Sequence, residues 1–372
     1  SAASDVYKRQ VVEALSYDYG VGFGYQEFLF NILRYFKAHR AELHFASVKL
    51  ACKSTDRHYF EFLEPEIEVS AFHVENTFHK YYILNTIGRR MNLRDSDTIL
   101  FTNNYSALIK QCKHILVIHD LLYLRKDFMP NKIFRMQRRL FVPHSIKLAD
   151  RIVAISRWVK SDIEKQFNIS TSNKVQAIYN YFDFNKYNEG EPAKEIVSFC
   201  KHHEYFLAVS SNAKHKNLIT IFKAFEEFSK TSSSVYLVLV GKLHGVLKEY
   251  YENLDRDVKA RIRIFYNISN ADLGCLYKYA KAFISATLFE GLGMPLVEAM
   301  YFNIPTIVSD IDVVREVTLN KAIYFSPKDT AKLCCLMKEE YPNRGIVAEI
   351  EELYSEKNTV KCYVELVNSF TK

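Results

Sequence analysis

Residues 282–300 read AFISATLFEGLGMPLVEAM, and the order of residue types in those nineteen positions calls for a strand, a loop and the start of a helix. Ala282 to Ser285 is a short apolar run, Glu290-Gly291-Leu292-Gly293 is a turn, and Pro295 and Glu298 follow. Proline fixes φ and has no amide to leave unsatisfied, so it suits the first turn of a helix; Leu296, Val297, Ala299 and Met300 then give that helix an apolar side. The helix therefore begins just after the glycines. Its free amides, the positive end of its dipole and two glycines that let a ligand come close suit an anion or a polyol.

Two glutamates near a cleft raise the chemistry of glycoside hydrolysis, which needs carboxylates about 5 to 9.5 Å apart. Eight residues of helix would separate Glu290 and Glu298 by about 12 Å, so two separate binding roles fit better. The run Phe289-Glu290-Gly291-Leu292-Gly293-Met294-Pro295-Leu296-Val297-Glu298-Ala299-Met300 resembles the signature of the family 4 retaining glycosyltransferases of the GT-B fold, bacterial mannosyl-, rhamnosyl- and glucosyltransferases of surface polysaccharide assembly among them. The resemblance implies that Glu290 touches the donor sugar and Glu298 the ribose of the nucleotide. Against it stands a surface loop with two solvated carboxylates.

Composition sets the outer limits. A chain of 372 residues suits two domains, and 48% hydrophobic with 25% charged residues describes a globular protein. No run reaches the eighteen or so apolar residues of a spanning helix, and residues 1–10 lack the apolar core of a signal peptide. Those ten resemble nothing in the family and are set aside from fold reasoning. Seven cysteines without a C-x-x-C pair argue for a reducing, cytoplasmic setting and against a zinc site. The net charge of +7 accompanies no nucleic-acid motif, so no nucleic-acid partner is expected. Lys132, Arg135, Arg138, Arg139 and Lys147 alternate with Phe134, Met136, Leu140 and Phe141, which reads either as a packed helix with a solvated basic face or as a helix at an anionic membrane surface.

Along the first half, Val11 to Leu15 reads as the first strand. Gly20, Gly22 and Gly24 precede an apolar helical pattern over Tyr25 to Phe36, so Gly22 and Gly24 either meet a phosphate or only make a tight turn. The resemblance places this loop near the donor phosphates and the acceptor. Further apolar runs follow at Leu43 to Val48 and Thr98 to Phe101. Ile115 to Ile118 is a buried-strand run that sets His119 and Asp120 at its carboxyl end, where open α/β sheets bind ligands. The family has a His-Asp-Leu of this kind facing the donor sugar and the acceptor, and His119 takes that role. Asp120 either fixes the imidazole tautomer or caps the next turn. Strand patterns over Ala149 to Ser156 and Lys174 to Asn180 flank a helix over Trp158 to Phe167. Where the family has a glycine this chain has Tyr181, and a ring in place of glycine must reshape the turn.

The second half opens with a strand over Tyr205 to Ser210 and a helix from Leu218. Lys216 stands at that helix start, where an ammonium and free amides can share a pyrophosphate. The family pairs this lysine with an arginine six residues earlier; here that position is Ser210, so either Lys214 supplies the charge or the phosphate is held less tightly. Strands over Val235 to Val240 and Arg261 to Phe265 follow, then a helix start at Ser269-Asn270-Ala271-Asp272. The resemblance puts the nucleobase at Tyr266 to Ile268, mainly against backbone. A strand over Pro305 to Asp310 precedes Val313 to Val317, and Tyr354 to Phe370 is helical.

The fold expected is therefore α/β: GT-B, two Rossmann-like domains with mainly parallel sheets facing a central cleft. The boundaries expected are 11–184 for an acceptor-side domain, 185–200 for a linker, 201–353 for a nucleotide-sugar domain and 354–372 for a helix crossing back to the first. The expected activity is retaining transfer of a hexose from a nucleotide sugar, UDP- or GDP-linked, to a saccharide or lipid-linked saccharide in cell-surface polysaccharide or lipopolysaccharide synthesis. His119 and Glu290 serve the reacting centre. Gly22, Gly24, Ser210, Lys216, Ile268, Gly291, Leu292, Gly293 and Glu298 hold the donor. No DxD motif stands at a strand end and the family works without a metal, so no cofactor is expected; peripheral contact at the inner face of a membrane is. A catalytically silent scaffold and a sugar-nucleotide epimerase of the same fold remain open, whereas a nicotinamide-dependent oxidoreductase lacks its glycine fingerprint and acid.

Overall fold

The computed structural model describes residues 8–17, 23–40, 45–129, 131–169, 173–342 and 345–369. Gly22 lies outside the described residues. The chain divides into two compact units, Ser1–Phe182 with Tyr354–Lys372, and Asp183–Leu353.

The first unit carries strands β1 (Arg9–Ala14), β2 (Ser47–Lys53), β3 (Glu68–Phe72), β4 (Thr98–Phe101), β5 (Lys113–Ile118), β6 (Arg151–Ala154) and β7 (Val175–Ala177). They form one parallel sheet in the order β3-β2-β1-β4-β5-β6-β7. Helices α1 (Phe23–Ala38), α2 (Thr77–Arg90), α3 (Lys132–Leu148) and α4 (Arg157–Phe167) connect them. The continuous Val, Ile and Leu runs of β4, β5 and β6 are buried throughout their centres, as a sheet covered on both faces requires.

Two expectations change here. The first strand begins at Arg9, because its backbone amide donates to Asp97 Oδ1 at 2.8 Å and its Nε and Nη2 donate to Asp97 Oδ2 at 3.0 and 2.7 Å. Asp97 is fully buried, so residues 9 and 10, set aside on sequence grounds, belong to the fold. Helix α1 begins at Phe23, which places Gly24 inside its first turn instead of in the loop before it. Tyr181 uses its backbone carbonyl to accept from Asn31 Nδ2 at 3.1 Å.

The second unit has helices α5 (Lys194–His202), α6 (Leu218–Ser229), α7 (Gly245–Glu252), α8 (Arg256–Ala260), α9 (Asn270–Tyr279), α10 (Met294–Tyr301), α11 (Asp312–Val317), α12 (Thr330–Met337) and α13 (Val347–Leu353). Its strands are β8 (Tyr205–Val209), β9 (Tyr236–Val240), β10 (Ile262–Phe265), β11 (Ala282–Ser285), β12 (Thr306–Ser309) and β13 (Ile323–Phe325). They pair in parallel in the order β10-β9-β8-β11-β12-β13. Phe222, Phe225, Leu237, Leu239 and Ile307 lie in the core between this sheet and α6. Residues 184–200, loop-like in composition, hold a 3-10 turn and the start of α5, both packed on α9 within this unit. Ala193 N donates to Asp272 Oδ1 at 2.7 Å, an anchor that composition does not reveal. The last helix, α14 (Glu356–Asn368), belongs to the first unit, where Thr359 Oγ1 donates to Tyr179 O at 2.9 Å.

Candidate active site

In the second sheet the strand order reverses between β8 and β11. The loops leaving the carboxyl ends of those two neighbours diverge, and the space between them is where an open α/β sheet binds ligands. The two loops are tied to each other. Asn217, at φ 52° in the left-handed region, donates from Nδ2 to Ala286 O at 3.0 Å and to Pro327 O at 2.7 Å. Leu288 N and Thr287 Oγ1 both donate to His215 O, at 2.7 and 3.2 Å.

That bracing brings Lys216 and Glu290 together: Lys216 Nζ lies 2.6 Å from Glu290 Oε1, and both side chains are largely shielded from water. Gly293 caps α10 at φ +85°, a conformation that glycine adopts without cost, and a Cβ built there would stand 2.7 Å from Leu296 Cδ1. Pro295 has no amide and Leu296 N is bonded to Gly293 O at 2.9 Å. The amides of Leu292, Gly293 and Met294 have no acceptor among the described residues. A cation and a run of unpaired donors thus meet at one helix start, an arrangement that stabilises anionic oxygen.

Glu298 follows one turn into α10 and is buried. Its Oε2 accepts from Tyr277 Oη at 2.8 Å, and Lys186 Nζ stands 3.6 Å from its Oε1. Burial, and then the charge of Glu298, push the Tyr277 phenol well above its ordinary pKa, so it remains a donor at any working pH. A carboxylate held this way by a phenol and an ammonium is fixed in direction and can accept from a pair of hydroxyls. Neither partner was legible in the sequence: Tyr277 reads as part of an apolar helix side and Lys186 as part of a linker.

Ser210 follows β8, and its Oγ donates to Ser211 O at 3.0 Å. Its carbonyl packs so tightly on Gly241 that a Cβ there would come within 2.1 Å of it. Lys214 is exposed on the adjoining loop. A further cation that the sequence did not single out, Lys242, lies with Nζ 5.5 Å from the centroid of the Tyr266 ring, which is 62% exposed. Ile268 is half-buried just before the capping box in which Ser269 and Asp272 exchange hydrogen bonds.

Residues 192–334 match the model of the family described as glycosyl transferases group 1. The fold of the chain is GT-B: it superposes on Anabaena HepE, solved in complex with UDP, with a TM-score of 0.69 at 14% identity over 97% of this chain and 100% of that one. It is similar to the O-antigen chain mannosyltransferase RfbU of Salmonella typhimurium, 29% identical over 216 residues, 58% of this chain and 57% of that protein. It is also similar to the serotype-specific mannosyltransferase WbdA of Escherichia coli, 27% identical over 232 residues, 58% of this chain and 28% of the other. The match thus spans little more than half of the first relative and under a third of the second.

In the first unit, His119 follows β5. Its backbone amide donates to Asn104 Oδ1 at 2.6 Å, and its ring Nε2 lies 2.8 Å from Thr102 O. A carbonyl can only accept, so Nε2 carries the proton and Nδ1 the lone pair. Burial pushes the His119 pKa down to about 4, with the charge of Arg138 adding to the effect, so the ring is neutral. The tautomer is therefore set by Thr102. Asp120 instead accepts from Leu122 N at 2.9 Å and caps the turn that follows. Among the described residues no helix is long and apolar enough to cross a membrane, and no three acidic, His or Cys residues cluster as a metal site.

Proposed function

We propose that the protein transfers a hexose, with retention of anomeric configuration and without a metal, from a nucleotide sugar to a saccharide or lipid-linked saccharide acceptor in surface polysaccharide synthesis. The observation that carries this reading is the 2.6 Å contact of Lys216 with Glu290 beside the unpaired amides of Leu292 to Met294. The leaving diphosphate takes its stabilisation from Lys216 and those amides, interactions that strengthen as charge develops on the leaving oxygen. Glu290, freed from Lys216 as the phosphates arrive, orients the sugar hydroxyls. Glu298, aligned by Tyr277, holds the ribose, and Tyr266 with Ile268 offers a surface for the base. His119 accepts through Nδ1 from a sugar hydroxyl.

Both relatives described above are mannosyltransferases, which favours mannose as the hexose and GDP-mannose as the first donor to try. The Salmonella relative's action on an O-antigen chain supports a growing surface saccharide as acceptor. The test is the anomeric configuration of the product formed from an α-linked nucleotide sugar, read by proton NMR. An α-linked product supports retention, and a β-linked product rejects the mechanism.

A further inference from the structure

The first unit builds a socket around the His119 ring that goes beyond the hydrogen bond to Thr102. The last torsion of a histidine side chain is broad and two-fold, so one hydrogen bond leaves the imidazole free to rock about it. Two rings of α1 close that freedom. Tyr25 stands at 90° to the imidazole with centroids 5.7 Å apart, and Phe28 at 82° with centroids 5.2 Å apart. Perpendicular pairs at such separations are favourable for aromatic rings and define one orientation. The two residues are three apart on one helix, so a single face of α1 presents both.

Each ring is itself braced. Thr102 Oγ1 donates to Glu13 O at 2.7 Å, so it accepts from Tyr25 Oη at 3.0 Å, and that chain fixes the residue whose carbonyl holds Nε2. Phe28 meets Tyr363 of α14, centroids 6.4 Å apart, at a cavity that Asn31, Tyr181 and Thr359 also line. Tyr363 is buried and its hydroxyl has no hydrogen-bond partner, so the side chain serves there by its bulk. A ring with space behind it keeps its place only while a neighbour packs against it. The polar and charged groups around the imidazole are few: Thr102 and Asn104 from the exit of β4, Tyr25 from α1, and the more distant charge of Arg138 from α3. Among the described residues no carboxylate pairs with the ring, and Nδ1 takes no hydrogen bond.

We propose that Tyr25, Phe28 and, behind Phe28, Tyr363 are positioning residues of the transfer reaction, holding the His119 imidazole in the one orientation that keeps Nδ1 open to a sugar hydroxyl. The C-terminal helix thereby becomes part of the support of His119. The inference rests on the glycosyl-transfer reading, because His119 has that role only in such a reaction. None of the three residues touches the reacting atoms; each acts through the imidazole.

The experiment is nitrogen NMR of the full chain with isotope-labelled histidine, in which the shifts of the two ring nitrogens report tautomer and protonation directly and His119→Gln identifies the signal. The wild type should carry the proton on Nε2 alone and stay neutral down to about pH 5. Tyr25→Phe keeps the ring, drops the hydroxyl that steadies Thr102, and should give a mixture of the two tautomers. Phe28→Leu keeps most of the bulk, loses the perpendicular ring and lets water reach the imidazole. It should raise the titration midpoint by about one pH unit, a ten-fold change in the protonation equilibrium, and the acid limb of kcat/KM should move with it. Tyr363→Ala should move the midpoint the same way, and Tyr363→Phe should restore the wild-type signal. A wild-type proton on Nδ1 would overturn the proposal. So would an unchanged tautomer and midpoint in folded Tyr25→Phe and Phe28→Leu, or identical signals from Tyr363→Ala and Tyr363→Phe. The signal needs no sugar nucleotide, so a failed socket leaves the transfer reading standing. His119→Gln with full kcat would instead overturn the role of the histidine, whatever the spectrum shows.

Discussion

Lys216 Nζ and Glu290 Oε1 stand 2.6 Å apart, one residue from each of the two loops that part at the switch point of the second sheet. Each holds the other in place. The lysine loop follows β8 and the glutamate loop follows β11, so the contact depends on two strands that pair directly.

Replacing either partner separates their roles. In the proposed role Lys216 is the counter-charge of the diphosphate, so Lys216→Ala is expected to lower kcat/KM about 100-fold, equivalent to about 2.7 kcal/mol of transition-state stabilisation. Glu290→Gln keeps the shape and should lower kcat while donor affinity changes by less than about three-fold, the pattern of an interaction realised in the transition state. Initial-rate kinetics with the wild type and both variants decide the matter. A Glu290→Gln enzyme with full kcat would remove Glu290 from the reacting centre.

Tyr277 acts through Glu298, which makes it a positioning residue. Tyr277→Phe deletes the 2.8 Å hydrogen bond and leaves the carboxylate free to turn. In the proposed role Glu298 would hold the ribose equally before and during the reaction, so the donor KM should rise roughly five- to ten-fold with kcat nearly unchanged. A fall in kcat at constant KM would contradict the ribose assignment.

His114 gives the first unit a pH limit. It lies fully buried in β5 with both ring nitrogens unpartnered, packed on Phe101 with centroids 4.9 Å apart. Burial pushes its pKa from 6.5 down to about 4, so between those values the unfolded chain binds a proton that the folded chain refuses. Stability therefore falls as pH drops through that window, by an amount on the order of 3 kcal/mol at its lower end. Urea unfolding at a series of pH values should show this slope, and His114→Phe should flatten it. An unchanged slope in the variant would assign the acid sensitivity to other groups, His119 first among them.

Most strands of the two sheets were legible because parallel strands buried on two faces are written as short continuous apolar runs; Thr98–Phe101 and Ala282–Ser285 coincide with the runs that announce them, whereas the run read at Leu43 to Val48 only overlaps the start of β2. The motif loop was legible because its glycines and proline each answer a backbone requirement. The elements that escaped lack such signals. Strand β3, read EVSAF, is short and half-exposed at the sheet edge, and α2 opens with exposed Phe78 and so shows little amphipathic contrast. The partners of Glu298 escaped because Tyr277 and Lys186 lie in different elements from it, and only the packing of α9 and the 3-10 turn at 184–188 on each other brings them near. His119 was singled out by its place at a strand end, whereas its tautomer depends on Thr102, from the neighbouring strand's exit, which sequence order does not reveal.

The most direct measurement is the melting temperature of the protein with GDP-mannose, UDP-glucose, UDP-galactose, UDP-N-acetylglucosamine, GDP-fucose and dTDP-rhamnose, for the wild type and for Glu298→Ala. The account predicts that one donor, GDP-mannose first, raises the melting temperature of the wild type and is slowly hydrolysed, and that Glu298→Ala loses the shift while remaining folded. A folded wild type that no donor stabilises, or a shift that Glu298→Ala retains in full, would contradict it.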